Sequence, residues 1–239
     1  MGDQLETKLS HWDSACDVVA RKGWLRHTPE AFRRTLLQRC RLEQFAAGTP
    51  VYSIGDEPGG MFGIVAGCLG VSVAPGEEGP YIAHFAMPGT WFGQAAAFTR
   101  QPRRVGLTAT RETELLHLPL SAIDEIVKRD PASWRFFGLV TIDHLDRAMG
   151  TSDDLMIRDH VKRFLAVLLR LGNCRHVSPR HGRPIEVDTS HEDIAHMANV
   201  ARTTAGAILR KLESNGHVAL SYRRISILAP DALRMMLRD

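Results

Sequence analysis

The chain has 239 residues, 44% of them hydrophobic and 24% charged, with 30 Lys+Arg against 27 Asp+Glu. That length supports a sizeable core and one large domain or two, and the composition is that of an ordinary globular protein, which excludes disordered, collagen-like and membrane classes. The net charge of +3 is too small to name a partner. Residues 1–10 carry Asp3 and Glu6 and no apolar segment, so they do not read as a secretory signal. The longest apolar run, 62–74, is broken by Gly63, Gly67 and Gly70 and falls short of the roughly 20 residues that span a bilayer. Cys16, Cys40, Cys68 and Cys174 lie far apart with no C-x-x-C pair. This argues against an iron–sulfur cluster, a zinc knuckle and a disulfide framework, and fits a reducing cytoplasm.

The first forty-odd residues read helical, with Phe32, Leu36 and Leu37 forming an apolar stripe behind Pro29-Glu30. From about Leu42 short apolar runs alternate with turn signals such as Pro58-Gly59-Gly60, Pro75-Gly76, Gly79-Pro80 and Pro88-Gly89. Strands are expected at 51–54, 61–65, 69–73, 81–85, 105–109 and 114–118, a spacing that indicates a β-sandwich or barrel rather than βαβ units.

Helical periodicity returns after Leu120, and Pro131 suits a first helical position. From there to about Ile157, Trp134, Phe137, Thr141, Leu145, Ala148, Ser152 and Leu155 recur at spacings of three and four. Such a helix is on the order of 40 Å long. Its stripe is expected to meet a second copy of itself, giving a homodimer; the alternative is that it packs wholly on its own β-domain. The resulting division is 1–130, 131–157 and 158–239. Charge divides the same way: from Arg158 onward 14 Lys+Arg face 8 Asp+Glu, a net of +6, while the preceding residues carry −3. A basic C-terminal module is the electrostatic footprint of a nucleic-acid binder.

A helix is expected over 159–172, then a polar loop holding Pro179, Gly182 and Pro184, then a compact helical pair. Thr189-x-x-Glu192 reads as a capping box for a short helix that buries Ile194, Ala195 and Met197. A turn at Asn199-Val200 leads to a second helix from Arg202, with Ala205, Ile208, Leu209 and Leu212 inward: a helix-turn-helix. In its first turn Arg202 can pair with guanine, and Thr203 with a thymine methyl or a phosphate. Ala207 permits close approach, while Thr204 and Arg210 suit phosphates, and His191 at the opening of the first helix joins this set. After a Ser214-Asn215-Gly216 stop, 218–228 reads as a β-hairpin wing that offers Arg223 and Arg224 to phosphates.

These motifs resemble the cyclic-AMP-receptor/FNR (Crp/Fnr) family of bacterial transcription regulators over roughly residues 25–230. The N-terminal resemblance rests on Gly48-Thr49-Pro50-Val51-Tyr52 through Gly55-Asp56, on Met61 to Val71, and on Pro88-Gly89-Thr90-Trp91-Phe92-Gly93. The C-terminal part rests on Glu192-Asp193-Ile194-Ala195, Arg202 to Gly206, Leu209-x-x-Leu212-Glu213 and Gly216. The resemblance implies an α+β fold with an N-terminal cyclic-nucleotide-binding-like β jelly roll, a long dimerisation helix and a C-terminal winged helix-turn-helix. It also implies a cytoplasmic homodimer on double-stranded DNA, with RNA polymerase as partner and no membrane or enzymatic role.

Family members that bind cyclic AMP carry F-G-E followed about ten residues later by R-S/T-A. Here the stretch holds Gly93, Gln94, Arg103, Arg104 and Val105. By this match Arg104 takes the place of the family arginine, Gln94 that of the glutamate and Val105 that of the hydroxyl residue. Valine donates nothing to phosphate, so an ordinary cyclic-AMP site is not expected, the cyclic nucleotide stays open as an effector, and the two arginines read equally well as a solvated basic turn. The adenine would lie near Ala148-Met149, or near Thr151-Ser152 after a shift. Among heme ligands His84, Cys68 and His117 are candidates, each read more readily as structural, and His191 and His196 do not suggest a metal site. At the DNA reader Ala201-Arg202-Thr203-Thr204 stands where relatives have Ser/Thr-Arg-Glu-Thr, which removes an acceptor for cytosine and a helix cap worth about 1 kcal/mol. A cupin-like enzyme would need H-x-H, which does not occur.

Overall fold

The computed structural model describes residues 2–74, 80–177 and 184–238. The turn positions at 75–79 and the loop positions Pro179 and Gly182 lie outside the described residues. Two compact units are present, 1–80 with 85–146, and 81–84 with 147–239. The division falls inside the long helix that the sequence sets apart as 131–157.

In chain order the first part contains α1 (Gly2–Arg21), a 3-10 turn (Trp24–His27), α2 (Glu30–Leu37) and strands β1 (Arg41–Phe45), β2 (Pro50–Tyr52), β3 (Gly60–Ala66), β4 (Leu69–Val73), β5 (Tyr81–Ala86) and β6 (Trp91–Phe92). It continues with α3 (Gln94–Thr99), β7 (Gly106–Ala109), β8 (Thr113–Pro119), α4 (Leu120–Arg129) and α5 (Trp134–Leu155). The strands form two sheets, β1-β8-β3-β6 and β2-β7-β4-β5, as a jelly roll requires.

β3 shows why the strand pattern is an unbroken apolar run instead of an alternation. Phe62 and Ile64 join a core with Tyr52, Leu69, Val71, Phe92, Leu107 and Leu115. Met61 and Val65, on the opposite face, join a second core with residues of α1, α2, α4 and α5. Both faces are covered, so every position is apolar. Gly63 is required there, because a Cβ would lie 2.4 Å from the Trp91 indole.

Phe137 is fully buried in that second core, with its ring centroid 5.3 Å from Phe32 and 6.0 Å from Trp24. It therefore departs from the expected dimer seam. Trp134, 42% exposed, lies edge-on to Phe98. Pro131–Ser133 forms a 3-10 turn capped by Asp130, and α5 proper begins at Trp134.

The second unit is built on α6 (His160–Leu171), which buries Phe164 through Leu169 and Leu171. Around it lie β9 (Ile185–Val187), α7 (His191–Met197), α8 (Arg202–Ser214), β10 (Val218–Ser221), β11 (Arg224–Ile227) and α9 (Pro230–Arg238). The strands pair as β10-β11-β9, all antiparallel. Asp159 caps α6, accepting hydrogen bonds from the Val161 and Lys162 amides at 2.8 and 2.9 Å. Those bonds hold its carboxyl below the ordinary range.

Candidate nucleic-acid interface and effector cavity

α7 and α8 sit on the unit core through one face each: Ile194, Ala195 and Met197 on the first, Ala205, Gly206, Ile208, Leu209 and Leu212 on the second. The outward positions Arg202, Thr203, Ala207 and Arg210 are exposed, and Thr204 is half-buried. Ala201 gives α8 no side-chain cap, as the residue type requires.

The capping box of α7 lies one residue later than expected. Ser190 Oγ accepts from the Asp193 amide at 3.0 Å, and Asp193 Oδ2 accepts from the Ser190 amide at 3.3 Å. Thr189 is buried, and Glu192 stays exposed in the first turn. This register leaves His191, half-buried, as the first helical residue.

The turn between the helices is held by Arg163 of α6, a residue that carries no signal in the sequence. Its Nε donates to Ala198 O at 2.7 Å, its Nη2 to Asn199 O at 3.1 Å and its Nη1 to Ile157 O at 2.8 Å. Asn199 occupies the left-handed region at φ 49°, which asparagine tolerates better than most residues. One guanidinium thus ties the reader's turn to the chain just after α5.

β10 and β11 form the wing, joined by Tyr222-Arg223 with Ser221 opposite Arg224. Tyr222 is 93% exposed, and Arg223 Nη2 lies 4.0 Å from Asp193 Oδ2. Arg224 is strand, not tip: its Nε meets Asp188 Oδ1 at 3.0 Å and Glu186 Oε2 at 3.5 Å. Two carboxylates already face the cation that the sequence offers to phosphate.

On α5, the expected positions Thr141, Leu145, Ala148, Ser152 and Leu155 are all exposed. Beside them Ile142, Met149 and Met156 are 53%, 62% and 77% exposed. Ile142, Leu145, Met149, Ser152 and Met156 follow alternating steps of three and four, a stripe that shares Leu145 and Ser152 with the expected one.

In the first unit Gly93, Gln94, Arg103, Arg104 and Val105 come together around a cavity of about 160 Å³. Tyr52, Val71, Phe92, Ala95, Ala96 and His144 complete its wall. Arg103 is the buried member of the arginine pair, while Arg104 is exposed. Arg103 Nη1 donates to Gly60 O at 3.1 Å and to Gly93 O at 3.4 Å, and its guanidinium lies 4.1 Å from the Tyr52 ring centroid. Gly93 permits this approach at φ 97°, since a Cβ would lie 2.4 Å from Gly60 O. Burial lowers the Arg103 pKa and raises that of Tyr52, and each partly offsets the other's shift.

α5 contributes His144 to the wall, not Ala148, Met149, Thr151 or Ser152. Its Nε2 lies 2.7 Å from Trp91 O, and its ring is edge-on to Phe92. The ring nitrogens of His117 are both engaged, with Glu43 and Gly59 O, and the ring stacks on Phe62 at 4.3 Å; a heme-ligand role does not fit it. Among the described residues no group of three or more His, Cys, Asp or Glu is arranged to hold a metal. No helix among them is long and apolar enough to cross a membrane.

The cyclic nucleotide-binding domain family matches residues 42–130, and the Crp-like helix-turn-helix domain family matches residues 162–236. The chain belongs to the Crp/Fnr family. It is a Crp/Fnr-type transcription regulator, joining a cyclic-nucleotide-binding domain to a DNA-binding helix-turn-helix. Among curated relatives, the cAMP-activated global transcriptional regulator Vfr of Pseudomonas aeruginosa is 22% identical over 198 residues, covering 80% of this chain and 92% of that protein. The cAMP-activated global transcriptional regulator CRP of Haemophilus influenzae is 20% identical over 178 residues, covering 74% and 79%. Among solved structures, a Crp/Fnr-family transcriptional regulator from Thermus thermophilus aligns with TM-score 0.63 at 20% identity, over 83% of this chain and 99% of that one. The c-di-GMP responsive global regulator CLP of Xanthomonas campestris aligns with TM-score 0.64 at 16% identity, over 83% and 99%. These structural likenesses establish the Crp/Fnr fold.

Proposed function

We propose that the protein is a cytoplasmic homodimer that reads double-stranded DNA sequence-specifically under the control of its N-terminal effector domain, acts with RNA polymerase and performs no catalysis. The observation that carries this reading is α8, whose apolar face is spent on the unit core while Arg202 and Thr203 stand exposed in its first turn. Placed in the major groove, Arg202 pairs with guanine O6 and N7, and Thr203 meets a thymine methyl or a phosphate. Thr204, Arg210 and His191 take phosphates, as does Arg223 at the wing. Arg224 joins them only by giving up Asp188 and Glu186. Two copies meet along Ile142, Leu145, Met149 and Met156, which sets two readers against half-sites about one helical turn apart. His144, on the same helix but turned to the β-domain, belongs to the cavity wall, so an occupant touches the helix that sets the dimer.

Fluorescence anisotropy on short duplexes tests the reader. Arg202→Ala is expected to lose about 1–3 kcal/mol on a preferred duplex and little on a random one, while Arg210→Ala weakens both and flattens the salt dependence. An unchanged ratio of specific to random affinity in Arg202→Ala overturns the assignment and favours a winged helix that contacts protein.

A second reading, a cyclic-AMP-responsive activator with a divergent cassette, is favoured by the cAMP-activated relatives and by a buried arginine in the cavity wall. It requires cyclic AMP to raise duplex affinity.

A further inference from the structure

Period-two alternation along β9 and β11 buries Val187, Ile225 and Ile227 and leaves Glu186, Arg224 and Ser226 on the other face of the small sheet. There Arg224 Nε lies 3.0 Å from Asp188 Oδ1 and 3.5 Å from Glu186 Oε2. Ser226 Oγ lies 2.9 and 3.0 Å from the two Glu186 carboxylate oxygens, which fixes that carboxylate beside the guanidinium. The Asp188 side chain is 12% exposed, against 47% for Arg224. The acids are held by the fold, and the cation is held by the acids.

A phosphate that recruits Arg224 deprives Asp188 of this cation at a place with little access to water. Removing one partner from a carboxylate so placed is the costly way to break an ion pair. A phosphate that approaches with the pairs intact meets two carboxylates for one guanidinium, and like charges brought together repel. Both routes oppose backbone binding at β11. Arg223 differs: its side chain is 59% exposed, and its contact with Asp193, at 4.0 Å, is a loose one.

We propose that Glu186 and Asp188 hold Arg224 away from the DNA backbone, so that the β9–β11 face of the wing repels phosphate and only the tip approaches it. The two carboxylates then set how tightly the protein holds a duplex and how steeply that affinity falls with salt. They carry no base information, because phosphate contacts fix position and not sequence. This inference rests on the reading of the second unit as a duplex binder for the identity of the anion, though not for the ion pairs themselves.

The test is duplex affinity of the full-length protein between 0.05 and 0.2 M salt, together with elution from heparin, a polyanion without bases. Glu186→Gln combined with Asp188→Asn keeps both shapes and removes both charges. This variant is expected to bind random and preferred duplexes more tightly, with their ratio unchanged. Its slope of log affinity against log salt should steepen by about 0.9, the value of one phosphate contact. The gain over wild type is then roughly three- to fourfold larger at 0.05 M than at 0.2 M. Arg224→Ala added to that variant is expected to return the slope to the wild-type value, because the released guanidinium makes the contact. Should the double variant not fold, Glu186→Gln alone, at a side chain 42% exposed, is expected to move affinity and slope the same way by less. Unchanged or weaker binding after neutralisation overturns the proposal, since the carboxylates would then be orienting Arg224 for phosphate. A gain that survives Arg224→Ala also overturns it, as an effect of overall charge. Later elution of the neutralised variant from heparin, with no sequence preference in any variant, defeats the reading of α8 and sustains the guarded wing.

Discussion

Asp154, near the end of α5, is completely buried, and its carboxylate accepts from Arg170 Nε at 2.6 Å and Arg175 Nε at 3.0 Å. Gly150, one turn earlier, leaves room for this clamp: a Cβ there would lie 2.4 Å from Arg170 Nη1. Asp154→Ala removes the shared partner of two arginines. Breaking a buried ion pair costs about 3–5 kcal/mol when the remaining charge stays buried. Both arginine side chains are 21% exposed and can turn towards water, which places the expected loss at the lower end, about 3 kcal/mol. Urea unfolding of the full chain measures it. With a slope of about 1–3 kcal/mol per molar, the transition of the second unit should move down by roughly 1–3 M. Asp154→Asn, which keeps an acceptor, should lose less, and Gly150→Ala should lose stability in the same direction by displacing Arg170. A shift equivalent to less than about 1 kcal/mol in Asp154→Ala would refute the claim that this clamp fixes the end of α5 in the unit core.

Three further outcomes follow from local chemistry. Ser190→Ala should cost about 1 kcal/mol in urea unfolding, whereas Glu192→Ala, at the exposed position outside the capping box, should stay within about 0.5 kcal/mol. Leu145→Glu or Met149→Glu should convert the dimer to monomer in sedimentation and lower duplex affinity with it, because a carboxylate cannot be buried unpaired in an apolar seam. Burial pushes the Cys16 and Cys174 thiols from 9.0 up to about 11, so iodoacetamide should label both slowly in the native protein at pH 8 and rapidly after unfolding. Their protons are held more tightly folded than unfolded, so this contribution to stability is complete below pH 9 and is lost as pH climbs towards 11.

The jelly roll and the reader were legible because their patterns are local. Glycine and proline punctuation marks the turns, and Ala205, Ile208, Leu209 and Leu212 state which side of α8 faces inward. β1 escaped because Arg41, Glu43 and Gln44 dilute its apolar signal on an edge strand, and β6, only two residues long, is defined by pairing with β3. The α7 cap was missed by one residue because Thr189 and Ser190 are both capping residues and Glu192 and Asp193 both acceptors. Phe137 fits a heptad and an internal core equally well until Trp24 and Phe32, a hundred residues away, are seen against it. Arg103 and Arg104 are the same residue type side by side, and only the fold tells them apart, burying Arg103 against Tyr52 and the Gly60 and Gly93 carbonyls and leaving Arg104 exposed. Arg163 and Asp154 act through partners far along the chain, and no spacing rule announces them. Phe137 set the phase of the expected stripe, and the exposed Ile142, Met149 and Met156 beside it fall outside that phase.

The most direct test of the account is selection of binding sites from a random duplex library at about 0.15 M salt, with the wild-type chain and Arg202→Ala in parallel. A homodimeric reader predicts a two-fold symmetric consensus with half-site centres about 10 base pairs apart and a guanine in each half that the variant no longer selects. Binding without an enriched sequence, or a consensus that Arg202→Ala leaves intact, would contradict it.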